Sequence, residues 1–180
     1  MKPLTNAEIA VLSLIVEEDR HGYEIEEIIQ ERGMREWTEI GFSSIYTVLG
    51  KLQKRGLATV RVAAARGGGP SRKIHHATPA GRKAYRESVL EALTQPRRLF
   101  PHIQLGLAGL PVIDAAAAAA SLSLYAVALR QRLENVRRKL VAGKAPFHVE
   151  CMFDYSERMV EAEALWVEEL AKKLMALSTR

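Results

Sequence analysis

Two short runs, Thr59-Val60-Arg61-Val62 and Arg72-Lys73-Ile74-His75-His76, flank the sequence Gly67-Gly68-Gly69-Pro70. A glycine run closed by proline continues neither helix nor strand, so the chain turns there and returns beside itself. Thr78-Pro79 then opens a helix, with threonine as N-cap and proline at the first helical position. Upstream, Ile45, Val48, Leu49 and Leu52 recur at helical spacing. Ser43 or Ser44 can cap that stretch, and Gly56 stands where it should stop. Helix, strand, glycine-rich tip, strand, helix is the layout of a winged helix-turn-helix.

The same segment is one-signed. Residues 40–86 hold Lys51, Lys54, Arg55, Arg61, Arg66, Arg72, Lys73, Arg82, Lys83 and Arg86 and no Asp or Glu, while residues 1–39 hold ten acids. The net charge of +5 is modest, so what matters is the segregation. A face of one sign attracts a partner of the other, and for a basic domain that partner is most often nucleic acid.

The flanking stretches complete a mainly α class. Residues 4–17 read as a first helix capped by Thr5 or Asn6, residues 19–22 as a turn, and residues 23–32 as a second helix ended by Gly33. Residues 34–42 form a connection with Trp37 expected on the core. The third helix is expected over 43–55, a two-stranded wing over 57–77 and a fourth helix over 78–94. Beyond Pro96 and Pro101 the character changes. Leu122, Ala126, Leu129, Leu133, Val136 and Leu140 are spaced 4, 3, 4, 3, 4, the seam a helix–helix contact needs. Gly143 and Pro146 end that helix. A last helix over about 149–177 carries Met159, Ala162, Trp166, Leu170, Leu174 and Leu177. Two long helices joined by a short loop form a hairpin that leaves apolar surface exposed, so pairing with a second copy is expected. The domains read as 1–94 for DNA binding, 95–110 for a linker and 111–180 for helical dimerisation. Leu122, Ala126, Leu129, Leu133, Val136, Leu140, Trp166, Leu170 and Leu174 are the candidate dimer residues.

Several classes are disfavoured. The single cysteine, Cys151, excludes an intramolecular disulfide and fits a reducing cytosol. Acids at Glu8 and Glu17 interrupt the N-terminal stretch, which does not read as a secretory leader, so a cytoplasmic location is expected. The uncharged run 115–129 is rich in Ala and Ser and shorter than the roughly 20 apolar residues of a membrane span. It reads as a buried or interface helix, with a span as the alternative. No P-loop or G-x-G-x-x-G is present, so neither an enzyme nor a cofactor is expected. His148, Glu150, Cys151 and His102 leave a metal-dependent enzyme as one rival, although their spacing matches no standard zinc motif. A winged-helix module for protein–protein contact is the other.

Residues 4–86 resemble the PadR family of bacterial transcription regulators. The resemblance lies in LTNAEIAVLSLI at 4–15, in His21-Gly22-Tyr23-Glu24-Ile25, and in Gly41-Phe42-Ser43-Ser44-Ile45-Tyr46-Thr47-Val48-Leu49 with Leu52. It continues through Gly67–Arg72 and Thr78-Pro79-Ala80-Gly81-Arg82. His76 departs from it, standing where the family often has tyrosine. The remainder is similar in length and two-helix plan to virulence-activator-type members. The resemblance implies a homodimeric regulator, usually a repressor, that binds double-stranded DNA and often responds to a small aromatic, hydrophobic or cationic effector.

On this reading the third helix enters the major groove, with Ser43, Ser44, Tyr46 and Thr47 near base edges. A core role for Tyr46 is the alternative. Lys51, Lys54 and Arg55 are expected on flanking phosphates, with Arg66, Gly68, Arg72 and Lys73 of the wing along the backbone or in the minor groove. Arg82, Lys83 and Arg86 read equally as phosphate contacts or as the solvated face of a helix.

Overall fold

The structure, a computed structural model, describes residues 2–38, 40–41, 44–63, 72–98, 100–141 and 145–178. It divides into two compact units, residues 1–98 and 99–180.

The first unit begins with a reciprocal cap. The Glu8 backbone N–H donates to Thr5 Oγ1 at 3.2 Å, and the Thr5 N–H donates to the Glu8 carboxylate at 2.9 Å. This capping box satisfies two orphan donors and starts helix α1 (Asn6–Glu17). Strand β1 (Arg20–His21) and helix α2 (Gly22–Glu31) follow. Gly33, at φ 59°, ends α2, since left-handed backbone suits a residue without Cβ. A single 3-10 turn covers Met34–Glu36. Helix α3 spans Ser44–Lys54 and is closed by Gly56 at φ 71°. Strands β2 (Ala58–Ala63) and β3 (Arg72–Ala77) lead to helix α4 (Pro79–Thr94). The core is Val11, Leu12, Leu14 and Ile15 of α1, Ile25 and Ile29 of α2, and Ile45, Val48, Leu49 and Leu52 of α3, with Leu57 and Ala84.

Two expectations need correction. The two-stranded wing is present as β2 and β3, but Arg20 and His21, expected in a turn, pair with His75 and Ile74 and add a third antiparallel strand, in the order β1-β3-β2. A two-residue strand carries no alternation that a pattern can report. Trp37 is 52% exposed rather than packed on the core, to which Met34 and Ile40 are the contributions from this stretch.

Two contacts hold the start of α4 to the end of α3. Thr78 Oγ1 donates to the Gly56 carbonyl at 2.8 Å and accepts the Gly81 N–H at 3.0 Å. The Thr78 N–H donates to the Leu57 carbonyl at 3.1 Å. Gly81 lies so close to that carbonyl that an added Cβ would stand 2.0 Å from Leu57 O.

Glu8 is buried and receives Arg55 Nη1 at 3.0 Å. Burial pushes the Glu8 carboxyl up, but the Thr5 N–H and the Arg55 guanidinium outweigh it and hold the pKa below 4.5. A carboxyl lowered by folding adds stability above its unfolded value and loses it as pH falls through the folded one. Glu8→Gln is therefore expected to lose about 1–2 kcal/mol at neutral pH, with the gap to wild type closing as the pH falls below 4.5. Denaturant unfolding across a pH series reads this directly, and a gap independent of pH would contradict it.

The second unit holds helix α5 (Ile103–Ala108), inside the stretch read as a linker, then a 3-10 turn at Leu110–Val112. Asp114 Oδ2 accepts the Ala117 N–H at 3.0 Å and caps helix α6 (Ala115–Val141). Helix α7 (Phe147–Ser178) folds back on it. Ala126, Leu129 and Leu133 of α6 interlock with Val160, Ala164 and Val167 of α7, with Leu122 partly buried beside them. The seam read as a dimer contact is thus filled within one chain. Leu140 lies at the end of α6, its side chain outside the described residues. Arg130 clasps Glu168 through two bonds of 2.7 and 2.8 Å, and Arg137 reaches Glu157 and Glu161. Such exposed pairs set register more than stability. Among the described residues, no helix is long and apolar enough to cross a membrane.

Candidate nucleic-acid interface

The amphipathic character of α3 decides what it presents. Its apolar stripe, Ile45, Val48, Leu49 and Leu52, is buried in the first core. Helical geometry then turns Tyr46, Thr47, Lys51 and Lys54 outward, and all four are exposed, Tyr46 by 67%. Two of the expected groove residues, Tyr46 and Thr47, thus lie on the free face, with Lys51 and Lys54 on the turn that follows. Ser44 opens the helix, its side chain outside the described residues. Ser43, Arg66 and Gly68 also lie outside them.

The hairpin continues this face. In the β2–β3 ladder Val62 pairs with Lys73 and Ala63 with Arg72, so the two cations occupy the last two described rungs before the tip. Lys73 is exposed, as is Arg61 on β2. The Arg72 side chain lies outside the described residues.

Between α3 and the hairpin lies a half-open cleft of about 750 Å³. Its floor is Leu49, Gly50 and Gln53 of α3 with His75 and Val60 of the sheet, and its far wall is the first turn of α2, Gly22, Tyr23, Glu24 and Glu27. His75 is 5% exposed, and Gln53 Nε2 lies 3.1 Å from its Nδ1. Burial first, and then the neighbouring His76, Lys73 and His21, hold the His75 imidazole below its ordinary value. His21 Nδ1 lies 3.2 Å from the Lys73 carbonyl, and its backbone N–H donates to Glu24 at 2.6 Å. These contacts tie α2, α3 and the hairpin into one concave surface.

Not every cation in the acid-free segment faces outward. Arg55 is turned inward, paired with Glu8 and donating also to the Lys2 carbonyl. Arg82 Nη1 donates to the Val16 carbonyl at 2.7 Å, and Arg20 Nε to the Leu14 carbonyl at 3.0 Å. Both carbonyls lie in the last turn of α1, where cations are favoured, and that of Leu14 also accepts the Glu18 N–H. Lys83 lies 3.8 Å from Glu87 on the solvent face of α4. Sequence reasoning did not single out Gln53 or Glu27, because nothing in their spacing marks a cleft that only the fold assembles. Among the described residues, no group of three or more His, Cys, Asp or Glu is placed to hold a metal ion.

Residues 11–87 match the family described as Transcriptional regulator PadR-like family. The whole chain is similar to solved structures of that kind. Bacillus subtilis PadR in complex with operator DNA matches with a TM-score of 0.74 at 18% identity, over 93% of this chain and 98% of that one. The same protein in complex with p-coumaric acid matches with 0.73 at 18% identity, over 93% and 97%. The PadR-like regulator BC1756 from Bacillus cereus matches with 0.69 at 16% identity, over 96% and 98%. At such identities the likeness establishes the fold. No curated protein sequence matches the chain.

Proposed function

This chain belongs, through residues 11–87, to the PadR-like family of transcriptional regulators, and on that premise we propose that it binds a pseudo-palindromic operator in double-stranded DNA as a homodimer and represses transcription. The observation that carries the reading is the free face of α3, where Tyr46, Thr47, Lys51 and Lys54 stand exposed, with Lys73 of the wing on the same cleft as Tyr46. The major groove admits one α-helix, and hydroxyls at its start contact base edges while lysines a turn later meet phosphate. Ser43, Ser44, Tyr46 and Thr47 are assigned to the groove, and Lys51, Lys54, Arg66, Gly68, Arg72 and Lys73 to the backbone. Arg55 joins them only by giving up Glu8.

Dimerisation follows from what the hairpin leaves uncovered. Met152, Tyr155, Met159, Ala162 and Trp166 recur at intervals of 3, 4, 3 and 4 along α7, and all are exposed. This is a second coiled-coil seam on the side away from α6, and we assign it to a second copy, with Trp166 at its centre and Leu170 and Leu174 at its edge. A two-fold dimer would present two α3 helices to half-sites about one helical turn, roughly 34 Å, apart. The p-coumaric acid complex of the Bacillus subtilis relative supports response to a small aromatic or hydrophobic effector. Such a regulator acts in the cytoplasm, where its DNA is.

A salt series tests the wing. Replacing Arg72 and Lys73 together by alanine is expected to lower the slope of log K against log salt by about two, one unit per lost phosphate contact. An unchanged slope would remove the wing from the interface.

A further inference from the structure

The first residue of α2 has no side chain, and its backbone does not explain why. Positive φ among the glycines is confined to Gly33 and Gly56 within the described residues, so Gly22 adopts a conformation open to alanine. Its surroundings do explain it. A Cβ added at Gly22 would stand 2.6 Å from Tyr46 Cε1, 3.1 Å from Cζ and 3.2 Å from Oη. By contrast, a Cβ at Gly50, on the same cleft, would meet nothing within 4 Å. The space that glycine leaves at position 22 is occupied by the phenol ring of the recognition helix.

We propose that Gly22 is a positioning residue for DNA recognition, seating the Tyr46 ring on the first turn of α2 so that its hydroxyl is held in one place before DNA arrives. This rests on the DNA-binding reading above. Tyr46 is 67% exposed and is not part of the described core, so without that seat the ring is free to sample several rotamers. Ordering it on binding then weakens the complex. Since the atoms in the way are the far end of a flexible side chain, a methyl at position 22 displaces the ring and leaves the fold intact. It also replaces glycine by a better helix former.

The test is a double-mutant cycle of Gly22→Ala and Tyr46→Leu, read by fluorescence anisotropy on the protein's own upstream DNA and on a scrambled duplex. Thermal midpoints and two-dimensional NMR are recorded on the same samples. Gly22→Ala is expected to weaken selective binding by about tenfold. Its thermal midpoint should not fall, and it should have less than about a twofold effect once Tyr46 is leucine. Wild type should also show a nuclear Overhauser contact between Gly22 Hα and Tyr46 Hε, absent in Gly22→Ala. Wild-type affinity in Gly22→Ala, an equal loss in the Tyr46→Leu background, or no such contact in wild type would each overturn the seating. Failure of wild type itself to prefer its upstream DNA would instead overturn the regulator reading, and the role of the seat in recognition with it.

Discussion

Gly81→Ala is expected to lower stability by about 3 kcal/mol or more, a large share of what a domain of this size has. The added Cβ would lie 2.0 Å from the Leu57 carbonyl oxygen, which is backbone and cannot rotate away. That carbonyl also accepts the Thr78 N–H, and Thr78 Oγ1 bridges the Gly56 carbonyl and the Gly81 N–H. Moving α4 off Leu57 therefore strains three hydrogen bonds at once. For a unit of about this length such a loss lowers the thermal midpoint by more than about 10 °C. Calorimetry of the full chain checks it, and a midpoint within a few degrees of wild type would show that α4 shifts freely. The contrast with Gly22→Ala is informative. Both substitutions add one methyl in tight space, but one meets backbone and the other a side-chain tip.

Placing glutamates at Met159 and Trp166 together is expected to convert the proposed dimer to monomers. Both residues are about half exposed on α7, on the face away from the Val160, Ala164 and Val167 core. The hairpin should therefore fold unchanged, while pairing across that stripe would bury four unpaired charges in the dimer. Sedimentation velocity reads the mass. Loss of the second half-site should weaken operator binding by about a hundredfold or more, because the second contact is no longer intramolecular. A dimer that survives the substitutions places the interface elsewhere.

What the sequence made legible were features with local causes. The Thr5–Glu8 capping box, the stops at Gly33 and Gly56, and Thr78-Pro79 before α4 each follow from one or two residues meeting an orphan backbone group. The α3 stripe was legible for the same kind of reason, since a period of 3.6 fixes which side is buried. The long helices were legible as helices, but a 4, 3, 4, 3 seam looks the same whether its partner is the next helix or another chain. The seam through Ala126, Leu129 and Leu133 proved internal, and the outward stripe through Met152, Tyr155 and Met159 was only partly noticed. Charge segregation marked out a segment of the chain but not the direction of each side chain. Arg55 and Arg82 count toward the basic segment, yet both are engaged with α1 or its cap. The Gly22–Tyr46 contact joins residues 24 positions apart, and no periodicity reports it.

Selective recognition by a dimer has a direct readout. Fluorescence anisotropy of the full chain on its own upstream DNA and on a scrambled duplex, across a salt series, tests it most directly. Tight binding to the upstream sequence alone, two chains per site, with log K falling several units per decade of salt, is the expected result. Equal, weak binding to both duplexes that salt abolishes would contradict it, leaving a basic surface with no sequence to read.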